Sequence, residues 1–401
     1  MKKVMLGEVC QFINGDRGKN YPSQSSFTAE GIPFINAGDI ANRAISTNKL
    51  NYISSETYKK LNSGKVEKGD ILFCLRGSIG KVGINKYFKK GAIASSLMII
   101  RTGEHIDSKF LLHYLSSPLC KMQIAKFDNG SSQPNLSATS VQKFKVPLPL
   151  LNDQKRIAAI LDEADYLNQK DRQLLDKYNE LSHSIFFDMF GDPVVNPKSW
   201  ETFKLKDLSV KILNGATPKG GSDVYVKKGI TFFRSQNVWK NKLIYDDIAY
   251  LDEDTHYRMH NSSLKYGDLL ITKTGRINTE NSSLGRAAIF LGKDDSANIN
   301  GHVYLIRLKK EINNKFVLFI LTTNSYRDYI RRVCVGGIDK RQINKDHLEE
   351  FPIIFPPKEQ QKKFAVIIDE IEKQKSQIEK SIEKSEELFQ SLLQRAFKGE
   401  L

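Results

Sequence analysis

A helical segment of forty residues that occurs twice constrains this chain more than any other feature. Across 152–191, Ile157, Ile160, Ala164, Leu167, Leu174, Tyr178, Leu181 and Ile185 recur at steps of three, four or seven, the spacing of one apolar stripe on an amphipathic helix. At an offset of 207, Gln154, Lys155, Arg156, Ile157 and Ala158 become Gln361, Lys362, Lys363, Phe364 and Ala365, and Asp162, Glu163 become Asp369, Glu370. The ends agree with two helices. Asn152 or Asp153 can cap the first, and Pro356, Pro357 and Glu359 open the second, with proline pre-set for a first turn and acid at the positive end of the dipole. Gly191 with Pro193 stops the first helix, and Gly399 the second. At a rise of about 1.5 Å per residue each helix is roughly 55–60 Å long, too long for the core of one small domain. A helix of this length is expected to run between domains.

The charge is distributed unevenly along the chain. The net charge is +15, and residues 1–151 carry 21 basic and 10 acidic side chains, 152–192 carry 5 and 9, 193–357 carry 26 and 18, and 358–401 carry 9 and 9. The positive excess therefore lies between the helices, where it suits a polyanion bound by globular parts. The 401 residues suffice for two or three cores, and no run reaches the roughly 18–20 apolar residues of a membrane span. The start of the chain lacks an apolar stretch of signal-peptide length, so a cytoplasmic protein without a membrane is expected. Cys10, Cys74, Cys120 and Cys334 lie far apart, which indicates neither a zinc site nor a disulfide framework. His256 and His260 are four apart, but Tyr257 stands where a zinc protease carries its general base, and a structural role is expected.

Short β-prone runs at 32–35, 71–75, 81–84 and 93–100 predict a sheet-rich first domain, followed by a helix over 108–127, a polar loop over 128–140 and an extended 146–150. The order then repeats. Gly31-Ile32-Pro33-Phe34 matches Gly229-Ile230-Thr231-Phe232, and Gly69-Asp70-Ile71-Leu72 matches Gly267-Asp268-Leu269-Leu270, both at an offset of 198. Gly80-Lys81 matches Gly285-Arg286 at 205, and Lys109-Phe110 matches Lys315-Phe316 at 206, as though loops had lengthened while the sheet kept its length. The expected fold is α+β: two repeated, sheet-rich mixed domains, 1–151 and 193–357, separated by long helices at 152–192 and 358–401. Packed antiparallel, the helices would relate the domains by a pseudo-two-fold axis. Two basic domains so held could meet two separated segments of one duplex. In that packing Ile157, Ile160, Leu167, Leu174, Leu181 and Ile185 face Phe364, Ile367, Ile371, Ile378 and Leu392. Polar Asp171, Gln374 and Ser381 interrupt the stripes, where they would set the register or face a partner.

This pattern resembles the specificity subunit of type I restriction-modification systems. The resemblance covers nearly the full length and rests on a Gly-bearing polar loop, a proline-rich run, then a helix opening on Gln and a basic pair. These are Gly130 to Ser137, Pro147-Leu148-Pro149 and Gln154-Lys155-Arg156-Ile157 in one half. In the other they are Gly336 to Ile343, Pro356-Pro357 and Gln361-Lys362-Lys363-Phe364. The resemblance implies two target-recognition domains, each reading one half of a split double-stranded DNA target, with the helices fixing the gap. It implies no catalysis in this chain. Adenine methylation with S-adenosylmethionine would belong to two modification subunits gripping the helices, and cleavage with ATP and Mg to restriction subunits. The residues agree: Asn196-Pro197 is followed by Lys198 rather than by a methyltransferase motif, Gly77 to Lys81 has the wrong spacing for a phosphate loop, and Asp107-Ser108-Lys109 is a triplet common by chance.

Base reading needs bidentate side chains on loops beside phosphate contacts. Three aligned places in each half carry them. The turn after the early strand offers Asn36 and Asp39 in one half, and Arg234, Gln236 and Asn237 in the other. The loop after the Gly-Asp strand offers Arg76, Ser78 and Lys81 against Lys273, Thr274 and Arg276. The loop before the long helix offers Ser132, Gln133 and Asn135 against Lys340, Arg341 and Gln342. By type, Lys81, Lys273 and Lys340 suit phosphates, while Gln133, Arg234, Gln236, Asn237 and Arg341 suit bases. Two other classes stay open on these residues: a coiled-coil scaffold for protein partners, and a self-contained DNA enzyme with an unrecognised site.

Overall fold

Both long helices form. The computed structural model, which describes residues 2–127, 135–277, 282–337 and 340–401, has helices at Leu151–Phe190 and Lys358–Lys398. Each ends on a glycine in the left-handed region: Gly191 at φ 77° donates to Phe187 O at 2.8 Å, and Gly399 at φ 89° donates to Arg395 O at 3.1 Å. The chain divides into two compact units, and both divisions fall inside these helices. Met1–Leu174 with Ile378–Leu401 form the first unit, and Leu175–Gln377 the second.

In the first unit a six-stranded sheet runs Cys10–Asn14, Leu97–Thr102, Ile71–Cys74, Val82–Ile84, Ala44–Ile45, Ile40–Ala41. A five-stranded sheet runs Phe27–Thr28, Asn51–Ile53, Ile32–Ile35, Gly91–Ile93, Lys65–Val66. Strand periodicity of two explains why the central strands are apolar throughout. Ile71, Phe73, Met98 and Ile100 join a core with the helices, whereas Leu72, Cys74, Leu97 and Ile99 join a core with Ile35, Ile40 and Ile93. The second unit repeats this: Ser209–Asn214, Val303–Leu308, Leu269–Thr272, Ala287–Ile289 form one sheet, and Ala249–Leu251, Ile230–Phe233, Ala297–Ile299 another. Leu269 and Ile271 face the helical core, and Leu270 the opposite one.

The repeated Gly-Asp dipeptide is a structural staple. Asp70 accepts Arg101 Nε and Nη2, both at 2.8 Å, and the Glu67 amide at 2.7 Å. Asp268 does the same with Arg307, at 2.8 and 2.7 Å, and the Lys265 amide at 2.7 Å. Both carboxylates are buried, so the forked guanidinium supplies the charge and geometry that burial requires.

Two expectations about local structure change. The run 93–100 is two strands in different sheets, Gly91–Ile93 and Leu97–Thr102, because Ala94 to Ser96 carry the chain from one to the other. The helix over 108–127 is two helices, Ser108–Ser116 and Pro118–Phe127, since Pro118 lacks an amide and Ser117 is extended at ψ 158°. The second unit breaks at the matching place, where Thr323 Oγ1 caps Asn324–Val333 by accepting the Tyr326 amide at 3.3 Å.

The helices complete each unit's core on a face that shares Ile157, Ala164, Phe364 and Ile371 with the expected stripes and is otherwise turned by about one residue. Ile157, Leu161, Ala164, Phe389, Leu393, Ala396 and Phe397 are buried with the first domain; Phe186, Phe190, Phe364, Ile368 and Ile371 are buried with the second. Ile185, Ile378 and Leu392 are half-buried. Contrary to the packing expected of them, Ile160, Leu167, Leu174 and Leu181 are 39, 52, 42 and 45 % exposed, and Ile367 is 38 % exposed. The seam eludes an apolar count because it contains polar residues. In the first unit Ser381 Oγ donates to Asp171 at 2.7 Å, and Asn168 Nδ2 to Glu386 at 3.1 Å, which sets the two helix segments antiparallel there. Gln374 instead donates to Glu370 of its own helix at 3.0 Å.

The repeated glutamines and acids anchor the helices. Gln154 is buried and accepts the Asp107 amide at 2.9 Å while donating to His105 O at 3.0 Å and Pro149 O at 2.9 Å. Gln361 donates to Pro356 O at 2.8 Å. Asp162 accepts Lys109 Nζ at 2.7 Å and pairs with His113 Nε2 at 2.8 Å, and Asp369 pairs with Lys315. Burial pushes the Asp162 carboxyl up, but the hydrogen bonds from His113 and Lys109 outweigh it and hold it at about 2. With its folded value depressed, this contact stabilises the fold above about pH 4 and is lost as pH falls towards 2. Asp162→Asn is therefore expected to flatten the fall of the urea midpoint across that window. An unaltered acid limb would exclude Asp162 as its source.

Candidate nucleic-acid interface

The early loop of each unit closes on itself in the same way. The Asn36 amide donates to Asp39 Oδ2 at 2.7 Å, and the Arg234 amide to Asn237 Oδ1 at 3.0 Å. The two turns have nearly the same backbone, at φ −105°, ψ 168° and φ −105°, ψ 170°. Asn237 is fully buried and braces the loop by donating to Ile244 O at 3.1 Å and Asp246 O at 3.2 Å. The sequence alone does not show this burial. Arg234 forms an ion pair with Asp247 at 3.0 Å, and exposed Gln236 donates to the same carboxylate oxygen at 3.3 Å.

The second loop is tied to the first. Lys81 Nζ donates to Ala37 O at 2.9 Å, with two donors left for another acceptor. At the matching place in the second unit Arg286 lies 3.7 Å over the Trp239 ring, and burial pushes its guanidinium down to about 10. Ser78 and Arg276 are exposed, and Arg76 is half-buried. Lys273 Nζ stands 5.6 Å over the Tyr304 ring.

The third loop pairs with the second in both units. In the first unit Arg76 forms an antiparallel bridge with Asn135, and the Leu136 amide donates to Leu75 O at 3.0 Å. In the second, Thr274–Gly275 pairs antiparallel with Arg341–Gln342, Thr274 opposite Gln342 and Gly275 opposite Arg341, and Arg341–Gln342 pairs in turn with Val335–Gly336. Asn135, Lys340 and Gln342 are exposed. Ser132 and Gln133 lie outside the described residues. Arg341 Nη1 donates to Cys334 O at 3.2 Å. Among the described residues, the Nε groups of Arg76, Arg234 and Arg341 are buried without an acceptor. Such donors are uncommon in folded proteins and mark places where a further acceptor would be gained.

Sequence reasoning missed Arg43. Asn42 and Arg43, at φ 47° and 57°, form the two-residue turn joining Ile40–Ala41 and Ala44–Ile45. The Arg43 side chain pairs with Asp165 and lies 4.7 Å over Phe389, bracing the hairpin against both helix segments of the first unit. Its signal was an asparagine turn between two short apolar runs. A cleft of about 280 Å³ beside it is lined by Arg43, Lys81 and Lys121. All four cysteines are free, and among the described residues no group of three or more His, Cys, Asp or Glu could hold a metal. Among those residues no helix is long and apolar enough to cross a membrane.

The chain is similar to proteins of one kind. The specificity subunit of type I restriction enzyme MjaVIII from Methanocaldococcus jannaschii is 25% identical over 340 residues, covering 80% of this chain and 77% of that one. The EcoKI specificity subunit from Escherichia coli is 21% identical over 420 residues, covering 99% of this chain and 88% of that one. The structure of the type I restriction-modification system S subunit from M. genitalium matches with a TM-score of 0.57 at 14% identity, over 99% of this chain and 96% of that one, which shows a shared fold. The family described as the type I restriction modification DNA specificity domain matches residues 1–177 and again 197–388. The internal repeat read from the two helices is thus a repeat of that domain, and the chain belongs to the type I restriction-modification DNA specificity family.

Proposed function

We propose that this chain is the sequence-reading component of a type I restriction-modification complex, with each unit contacting one half of a bipartite double-stranded target. The observation that carries this reading is that both units keep one framework while changing its polar side chains. The early turn, the Gly-Asp staple and the pairing of second with third loop recur. At the loops, Arg76 and Asn135 give way to Thr274 and Gln342. One scaffold with two sets of donors suits two half-sites of different sequence. Exposed Ser78, Asn135, Arg276, Lys340 and Gln342 are the most accessible of these groups, and Lys81 and Lys273 are suited to phosphates.

The domains at 1–151 and 193–357 would be the target-recognition domains, and the helices would set the gap and dock two modification subunits. The exposed apolar residues Ile160, Leu167 and Leu174, spaced by seven, support docking on the first unit's helix segment, as does Leu181 on the second's. Methylation with S-adenosylmethionine, and cleavage with ATP and Mg by restriction subunits, would then belong to those partners and not to this chain.

Adenine methylation mapped across the genome of a host expressing the chain with its modification partner tests this. The expected motif has two specified segments separated by a fixed unspecified gap, and neither protein alone produces it. A continuous motif, or methylation by this chain alone, would overturn the reading.

A further inference from the structure

We propose that the base-reading element of each unit is the ribbon made where its second and third loops pair, and that Arg76 and Arg341 each read a G·C pair. The early loop is then a brace. This inference rests on the DNA-specificity reading above and assigns its chemistry to particular side chains.

The early loops have little left to offer a base. Asp39 Oδ2 and Asn237 Oδ1 close their own turns, Asn237 is fully buried, and Arg234 and Gln236 both meet the Asp247 carboxylate. The ribbons are different. Val335, Gly336 and Gln342 are exposed in the second unit, and Ser78 and Asn135 in the first. In the second unit the outer hairpin of a three-stranded sheet, Val335–Gly336 with Arg341–Gln342, is a two-stranded ribbon of the width that the major groove of B-DNA admits, and in the first unit the same loops meet at the single bridge Arg76–Asn135.

Within the ribbons the two arginines hold related places on opposite strands. Arg76 comes from the second loop and stands opposite Asn135 of the third; Arg341 comes from the third loop and stands opposite Gly275 of the second. Side chains of directly opposed residues share one face of an antiparallel pair. The short side chain of Asn135 faces Arg76 there, and Gly275 faces Arg341. Each carries a buried Nε–H without an acceptor, as Arg234 does, but unlike Arg234 neither has a carboxylate partner among the described residues. An arginine fork matches the O6 and N7 acceptors of guanine in the major groove. Carrying that fork on either strand of one ribbon moves the read position while the framework stays the same.

The test is methylation mapping with the full chain and its modification partner. Arg76→Ala is expected to relax one G·C position in one half-site by roughly ten- to a hundredfold, leaving the other half-site specified. Arg341→Ala should relax one G·C position in the opposite half-site only. The untouched half-site reports that the variant has folded. Arg341→Lys keeps the charge without the fork and should also lose discrimination. Arg234→Ala should lower methylation at all sites without relaxing a base. Unchanged motifs in both alanine variants, or a base relaxed by Arg234→Ala while Arg341→Ala relaxes none, would overturn the ribbon assignment. Absence of a bipartite motif with the unsubstituted chain would instead count against the specificity reading itself.

Discussion

Inserting one heptad into both long helices is expected to lengthen the unspecified gap of the target by about three base pairs. The insertion points are between Leu174 and Leu175 and between Gln377 and Ile378, where the boundary between the compact units falls. Contacts on either side are then kept. Ser381 still meets Asp171 in the first unit, and Phe364 still meets Phe186 and Phe190 in the second. Seven residues add about 10 Å of helix, three steps of a duplex at roughly 3.4 Å each. Seven residues also fall only about 20° short of two full turns, so the faces of each helix stay nearly in phase. Genome-wide methylation mapping reads the gap directly. Retention of the original gap with both half-sites intact would show that the helices do not set it.

Phe364→Ala is expected to destabilise the second unit by about 3–5 kcal/mol, the usual cost of removing a buried phenylalanine from a packed core. Phe364 is fully buried, with ring centroids 5.5 Å from Phe186, 5.4 Å from Phe190 and 5.1 Å from Phe319. These rings come from both long helices and from Asn314–Thr322, so the cavity opens where three elements meet. For a unit of this size each kcal/mol lowers Tm by about 2–4 °C. Val366→Ala, two residues away at an exposed position, should shift it by less than about 0.5 kcal/mol. Calorimetry checks both. Equal shifts for the two variants would mean that the aromatic cluster does not hold the helices to the domain.

Much of the architecture was legible because it is periodic. The helices announced themselves by spacing, caps and stop signals, and the matching of Gly69-Asp70 with Gly267-Asp268 located equivalent strands in the two halves. The dipeptide was legible as a repeat but not as a cause: Arg101 and Arg307, which fork onto those acids, lie 31 and 39 residues further along the chain. The seam of the helices was misplaced by one residue for a related reason. Asp171 and Ser381, the polar breaks in the two stripes, belong to it through their hydrogen bond to each other, and Asn168, which an apolar count passes over, belongs to it through Glu386, whereas Ile160, Leu167, Leu174 and Leu181 do not.

The loops show the same division. That three polar loops recur in each half could be read from residue types alone. Which of their side chains are free could not, because Asn237 and Gln236 look alike as amides, and only folding buries the first and exposes the second.

By itself the sequence determined that the chain is two copies of one domain and one helix, since periodicity and repeat offsets are properties of order along the chain. The tertiary structure decided which helix face is buried, which arginines are paired, and that the second and third loops form one ribbon. Those depend on contacts between residues tens to hundreds of positions apart, where burial and hydrogen-bond geometry, rather than local spacing, set the free energy.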